Sequence, residues 1–411
     1  MSLLCETPNP SRRAVLTTGG ALFAWACLPR FARAADHRDP RLIVIILRGA
    51  LDGLSTIGPL GDPDYAGLHG DIALSLSGAN AALPLDSFFA INPAMPVFAR
   101  LFKAGQAAAV HAAATGYRDR SHFDGQDVLE SGLPGPGNAT TGWLNRAIAS
   151  LPAGERVAKL GGLAVGPSMP LVIRGAAPVL GWAPQALPTP SDALAERVLD
   201  LYNHRDPVLA AVLQKGLDAD RMAMSDQLDG STMKPRGGLA NAAGMRQSAQ
   251  GAAKLMAADG PRIAALAFDG WDTHVNEGGA TGRLAKLLGG LDGAFEEFEK
   301  GLGERWKDTA IVAITEFGRT ARVNGTVGTD HGTGTVVLLA GGAIKGGRVI
   351  ADWPGLKPAQ LYQGRDLAPT SDVRAVLKGL LAEQFGLSAA VLGDKVFPDS
   401  GEVKPMRDLV A

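Results

Sequence analysis

TAIVAITEFGRTARVNGTVGTDHGTGT, residues 309–335, decides how the chain is read. Ala310 to Ile314 is an apolar run with the length and continuity of a strand buried on both faces, and it gives way at once to Thr315-Glu316-Phe317-Gly318-Arg319. In an open parallel sheet, ligands bind beyond the carboxyl ends of strands, where loops converge on a rigid scaffold. The glycine-rich loop then delivers Asp330-His331 ahead of a second apolar run, Val336 to Leu339. An acid, an arginine and an Asp-His pair are therefore expected close together.

Three other apolar runs end in the same way. Leu42 to Leu47 leads into Arg48-Gly49-Ala50-Leu51-Asp52-Gly53. An Asp-Gly pair alone reads as a turn, but at a strand's carboxyl end Asp52 becomes a candidate ligand. Ala107 to His111 leads to Ser121-His122-Phe123-Asp124, where Ser121 opens a helix that Gly132 stops. A serine there is a cap or a nucleophile facing an anion, and the cap is the commoner case. Arg262 to Phe268 ends in Asp272-Thr273-His274, and Leu284, Leu288, Leu291, Phe295, Phe298 and Leu302 then mark an amphipathic helix crossing back to Ala310. A last helix opens at Thr370-Ser371-Asp372 and closes at Gly386. Leu163 to Val165 and Pro170 to Ile173 suggest a hairpin. Ser191 to Leu217 reads as helical, and Asp226 to Gly251, poor in large apolar residues, as an irregular connection or lid.

The first residues read as an address. Arg12-Arg13, a short apolar stretch from Ala21 to Leu28, and Ala32-Arg33-Ala34 have the order of a twin-arginine signal with its cleavage site. No stretch approaches the roughly 20 apolar residues that span a bilayer, so stable membrane insertion is not expected. Cleavage after residue 34 removes Cys5 and Cys27, the only cysteines, and leaves 36 basic against 40 acidic residues. Thiolate and disulfide chemistry is thereby excluded from the mature chain, and the acidic balance argues against a nucleic-acid binder. Residues 35–411 are read as one domain with a helical or irregular insertion around 191–257.

The strand ends collect Asp52, Asp272, His274, Glu316, Arg319, Asp330 and His331. Carboxylates and imidazoles without thiolates suit zinc, manganese, magnesium or calcium, and an arginine beside them suits an anionic ester. The chain carries no G-x-S-x-G, H-E-x-x-H or G-x-x-x-x-G-K-[ST] pattern.

The motifs at Arg48 to Leu54, Ser121 to Asp124, Gly142-Trp143-Leu144-Asn145, Gly270 to His274, Thr315 to Thr320 and Asp330-His331-Gly332 resemble those of the bacterial DUF1501 proteins. These are twin-arginine exported members of the alkaline phosphatase and sulfatase superfamily. The resemblance implies a three-layer α/β/α core with a mainly parallel sheet. It also implies a metal-binding Asp52, a nucleophilic Ser121, and metal ligands at Asp272, His274 and His331. Phe317 stands where the superfamily has the histidine of an Asp-His pair. One firmly bound ion, zinc or manganese, is therefore expected on Asp272, His274 and His331, with a weaker magnesium or calcium position at Asp52 and Glu316. Two functions follow: an exported hydrolase of anionic phosphate or sulfate esters, small or polymeric, or a catalytically degenerate binding or assembly component of the cell envelope.

Overall fold

A computed structural model describes residues 38–411 apart from 138, 153–160, 185–197, 200–201, 204–205, 225–240 and 258–259. The arginine pair and its apolar segment lie outside the described residues. The fold described is that of Pro40–Ala411.

The described strands are β1 (Arg41–Leu47), β2 (Ile57–Gly58), β3 (Leu83–Pro84), β4 (Ala90–Ile91), β5 (Ala107–Ala114), β6 (Gly162–Val165), β7 (Val179–Trp182), β8 (Ile263–Phe268), β9 (Thr309–Ile314), β10 (Thr335–Ala340), β11 (Arg348–Ile350) and β12 (Ser371–Asp372). The main sheet runs β11-β5-β10-β9-β1-β8-β6-β7, with β12 also paired to β5, while β2, β4 and β3 form a small separate sheet. Every neighbouring pair in the main sheet is parallel except those of β10, which runs antiparallel to both β5 and β9.

Alternate residues of β1 feed two cores. Ile43, Ile45 and Leu47 pack with Phe98, Met245, Leu288 and Phe295, from the helices Pro96–Lys103, Ala242–Ala257 and Arg283–Leu302. Leu42, Val44 and Ile46 pack with Leu144, Val376 and Leu380, from the helices Trp143–Ser150 and Val373–Phe385. Helices thus cover both faces of a mainly parallel sheet, a three-layer α/β architecture. Burial on both faces is why these strands read as unbroken apolar runs, each such side chain contributing about 1.5–3 kcal/mol.

Two local expectations are corrected. Gly162–Val165 pairs in parallel with Val179–Trp182, so no hairpin forms, and Leu171–Ile173 is a single 3-10 turn whose Val172 N–H donates to the buried Glu130. The second half of the supposed irregular connection, Ala242 to Gly251, is helical and buried against the helix Arg283–Leu302. Its residues are small because the packing is close: a Cβ on Gly290 would stand 2.7 Å from Ala242 Cα, and one on Gly251 would meet the Trp182 ring at 2.0 Å. Residues 226–240 lie outside the described part. Among the described residues no helix is long and apolar enough to cross a membrane.

The reversal of β10 positions the site. β1, β5, β8 and β9 all end at one edge of the sheet, and β10 begins there. The loop 315–334 therefore leaves and re-enters the sheet at the same edge.

Candidate metal centre

Gly49, directly after β1, lets the chain pass beneath the loop that follows β8. Its φ is +123°, and a Cβ there would stand 2.4 Å from Asp272 N. Its N–H donates to Glu316 Oε1 at 2.9 Å, tying the ends of β1 and β9 together. Gly332 serves the same end on the other limb, since a Cβ would meet the Arg319 carbonyl at 2.2 Å where Arg319 and His331 bridge.

Three imidazoles are held by their Nδ1 atoms. His122 Nδ1 lies 2.8 Å from Glu316 Oε1, His331 Nδ1 lies 3.0 Å from the Arg120 carbonyl oxygen, and His274 Nδ1 lies 3.2 Å from Asp330 Oδ1. Each partner is an acceptor, so each Nδ1 carries a proton, and in the neutral ring Nε2 is the nitrogen with the lone pair. Those lone pairs face one another and a carboxylate. Asp272 Oδ1 is 3.0 Å from His274 Nε2, 3.3 Å from His331 Nε2 and 3.6 Å from His122 Nε2, and the His274 and His331 Nε2 atoms are 3.0 Å apart. His122 Nε2 is buried without a hydrogen-bond partner.

Imidazole nitrogens and a carboxylate oxygen this close need a shared proton or a cation between them. Ligand bonds of about 2.0–2.1 Å in a tetrahedron give edges of about 3.3 Å, close to the separations among Asp272 Oδ1, His274 Nε2 and His331 Nε2. His122, Asp272 and His331 form a group able to hold a metal ion, and His274 Nε2 lies against two of its atoms. An Nδ1–H held by a carboxylate or carbonyl while Nε2 stays free is how metal-ligating histidines are usually oriented. The residues present fit a divalent transition metal.

Arg319 closes one side. Its buried guanidinium places Nη2 2.9 Å from Asp272 Oδ1 and Nη1 3.5 Å from His274 Nε2. Burial pushes the Asp272 carboxyl up, but Arg319 and the three imidazoles outweigh it and hold it below its ordinary value. The Glu316 hydrogen bond raises His122, whereas burial, with His122 and Arg319 beside it, lowers His331.

The remaining sequence candidates take other positions. Glu316 is fully buried and accepts from His122, Gln126, Gly49 and Thr315, so it orients an imidazole. Asp330 does the same for His274. Asp52 turns away: Oδ1 caps the short helix Gly53–Thr56 through Leu54 and Ser55 N–H, and Oδ2 lies 3.3 Å from His69 Nε2. Ser121 Oγ accepts from Asp124 N at 3.5 Å, capping the helix His122–Ser131. His122, the next candidate on the Ser121 turn should Ser121 itself lie outside the cluster, is the residue of that turn that reaches it. It sits at a helix start rather than after an apolar run, and its only sequence signal is its place beside Ser121.

Among solved structures, Ps i-CgsB in complex with k-i-k-neocarrahexaose is similar at a TM-score of 0.41 and 11% identity, over 89% of this chain and 77% of that one. Phosphonoacetate hydrolase from Sinorhizobium meliloti 1021 gives 0.30 and 10% identity over 68% and 57% of the two chains. A TAB5 alkaline phosphatase mutant with Mg bound gives 0.30 and 10% identity over 74% and 90%. Comparison with curated proteins yields no match. Residues 39–396 match the family described as "Protein of unknown function (DUF1501)", and the chain belongs to that family.

Proposed function

We propose that the chain is an exported, metal-dependent hydrolase of phosphate or sulfate esters, built around one firmly held ion. The observation that carries this reading is the group His122, Asp272 and His331, able to hold a metal ion, with His274 Nε2 against Asp272 and His331 and a buried arginine at its edge. Imidazole nitrogens favour zinc, and the Asp272 carboxylate keeps manganese as the alternative. A divalent ion there supplies positive charge for an ester oxygen and lowers the pKa of a water.

The chain's own residues do the rest. Glu316, Asp330 and the Arg120 carbonyl hold the Nδ1 protons and so fix which nitrogen is free. Arg319 offers guanidinium N–H groups to an anionic ester at the side of Asp272. Ser121 has its hydroxyl in a helix cap, which favours water over serine as nucleophile. Asp52 is already paired with His69, so the second, oxygen-only position for magnesium or calcium is the weaker one. Arg12-Arg13 and the short apolar segment support the twin-arginine machinery as an export partner.

Elemental analysis of the folded protein after extensive dialysis, with aryl phosphate and aryl sulfate turnover, tests the reading. One equivalent of zinc or manganese, lost in His274→Ala together with turnover, is expected. No metal even after reconstitution would sink it in favour of a binding or assembly component of the cell envelope. Replacing Arg12 and Arg13 by lysine should leave precursor in the cytoplasm; unchanged export would contradict that part.

A further inference from the structure

Two guanidinium groups meet beside His331 on one buried carboxylate, and a third, that of Arg118, lies within electrostatic reach of Arg120. Asp366, fully buried, accepts Arg120 Nε and Nη2 at 3.0 and 2.7 Å, Thr333 Oγ1 at 2.8 Å, and Arg365 Nε at 2.8 Å. Both arginines are tied to the metal cluster. The Arg120 carbonyl takes the His331 Nδ1 proton, with Arg120 held at φ +60° to present it, and Arg365 Nη2 donates to the His331 carbonyl. Arg118 donates to the carbonyls of Thr115 and Tyr117 and makes no ion pair with a carboxylate among the described residues, although Asp372 lies within electrostatic reach.

An arginine network that only braced loops would match its charges. Here Asp366 takes two guanidinium groups, and with Arg118 near Arg120 three arginines stand against Asp366 and the exposed Asp119, which leaves the lip positive by one charge. Asp372 does not help, since it is engaged by Arg374. The Arg365 side chain is 46% exposed and that of Arg120 is 18% exposed, so the surplus charge meets solvent beside the cluster. Guanidinium groups with free N–H donors at such a lip are suited to a tetrahedral oxyanion.

The geometry points to a second anion subsite on this lip, formed by Arg118, Arg120 and Arg365. It takes a phosphate or sulfate group neighbouring the one at the metal cluster. The substrates are then esters with at least two anionic groups, such as a multiply sulfated or phosphorylated sugar chain. This inference rests on the hydrolase reading for its substrate, but the subsite can be tested by binding alone.

The test is calorimetric titration of the metal-loaded protein with a monosulfated disaccharide and its disulfated counterpart, and with the corresponding phosphate pair. At least one doubly substituted ligand should bind tenfold or more tighter than its partner. Arg118→Gln should remove most of that advantage while changing the singly substituted ligand less than twofold, and Arg365→Gln, which also releases the His331 carbonyl, should remove most of it at unchanged metal content. Circular dichroism confirms that both variants fold, and Arg365 is exposed enough to be replaced without collapse. Equal affinity within both pairs, or an equal loss for both ligands in the variants, would overturn the subsite. Turnover of the same ligands separates the two ideas: discrimination without hydrolysis removes the enzyme and keeps the subsite, and hydrolysis without discrimination does the reverse.

Discussion

Phe317 lies against the imidazole of His122, with ring centroids 5.1 Å apart and planes inclined by 25°. The superfamily resemblance asks for a histidine at this place in the loop after β9. This chain has an aromatic wall there instead, and an imidazole arrives from the start of the helix His122–Ser131 to stand on it.

Phe317→Ala should therefore act on both stability and metal. The ring is buried with Ala50, Tyr117 and Val128, and its removal should cost about 3–5 kcal/mol. A His122 freed to turn should lower metal affinity by about tenfold. Chelator competition on folded protein gives the second number, and unchanged affinity would remove His122 from the ligand set.

Glu316→Gln keeps the shape of the carboxylate and removes its charge. Burial pushes Glu316 up, yet the hydrogen bonds from His122, Gln126 and Gly49 outweigh it, so the group is ionised and acts on His122 as an anion. The variant should bind metal about 10–100-fold more weakly while its unfolding midpoint moves little. The same chelator titration, set beside a urea denaturation curve, separates the two effects.

Asp52 and His69 form a buried pair whose pH dependence has a definite sign. Burial pushes Asp52 up, but His69 outweighs it and holds the carboxyl at about 2. Burial lowers His69, and Asp52 outweighs that, so its net shift is upward. The depressed carboxyl contributes stability that is present above its unfolded value of about 4 and is lost as pH falls towards its folded value. The raised imidazole contributes stability present below about 6.5 and lost as pH rises through its folded value. The pair is thus strongest between about pH 4 and 6.5. His69→Gln leaves an unpaired buried carboxylate and should cost about 3–5 kcal/mol. Urea midpoints at pH 5 and pH 8 should differ less in the variant than in the parent.

Ser121→Ala distinguishes cap from nucleophile. Loss of a serine cap costs about 1 kcal/mol, and with water as nucleophile turnover should fall less than about tenfold. A collapse of turnover with metal still bound would restore the serine.

The strands were legible because burial on both faces writes itself as continuous apolar sequence, and the polar residues just beyond Leu47, Phe268 and Ile314 marked the edge where the site lies. The reversed direction of β10 was not legible, since direction depends on which neighbour a strand meets. Nor was the helix Ala242–Ala257 in full, because close packing against Gly290 and Trp182 selects small residues that resemble a loop's composition. His122 was legible only as the alternative to Ser121, for another reason: it reaches the cluster through the packing of its helix on Phe317. Glu316 and Asp330 were visible as carboxylates, but their orienting use appears only when Nδ1 and Nε2 can be told apart.

The three imidazoles come from residues 122, 274 and 331, and no short piece of chain contains two of them. An extended or partly folded chain therefore offers no chelate of this geometry, and the ion can be captured only once the sheet edge has closed. The choice of metal is then made wherever folding finishes. Under the proposed export of an already folded precursor, that means the free-metal pool of the compartment it leaves rather than the one it enters.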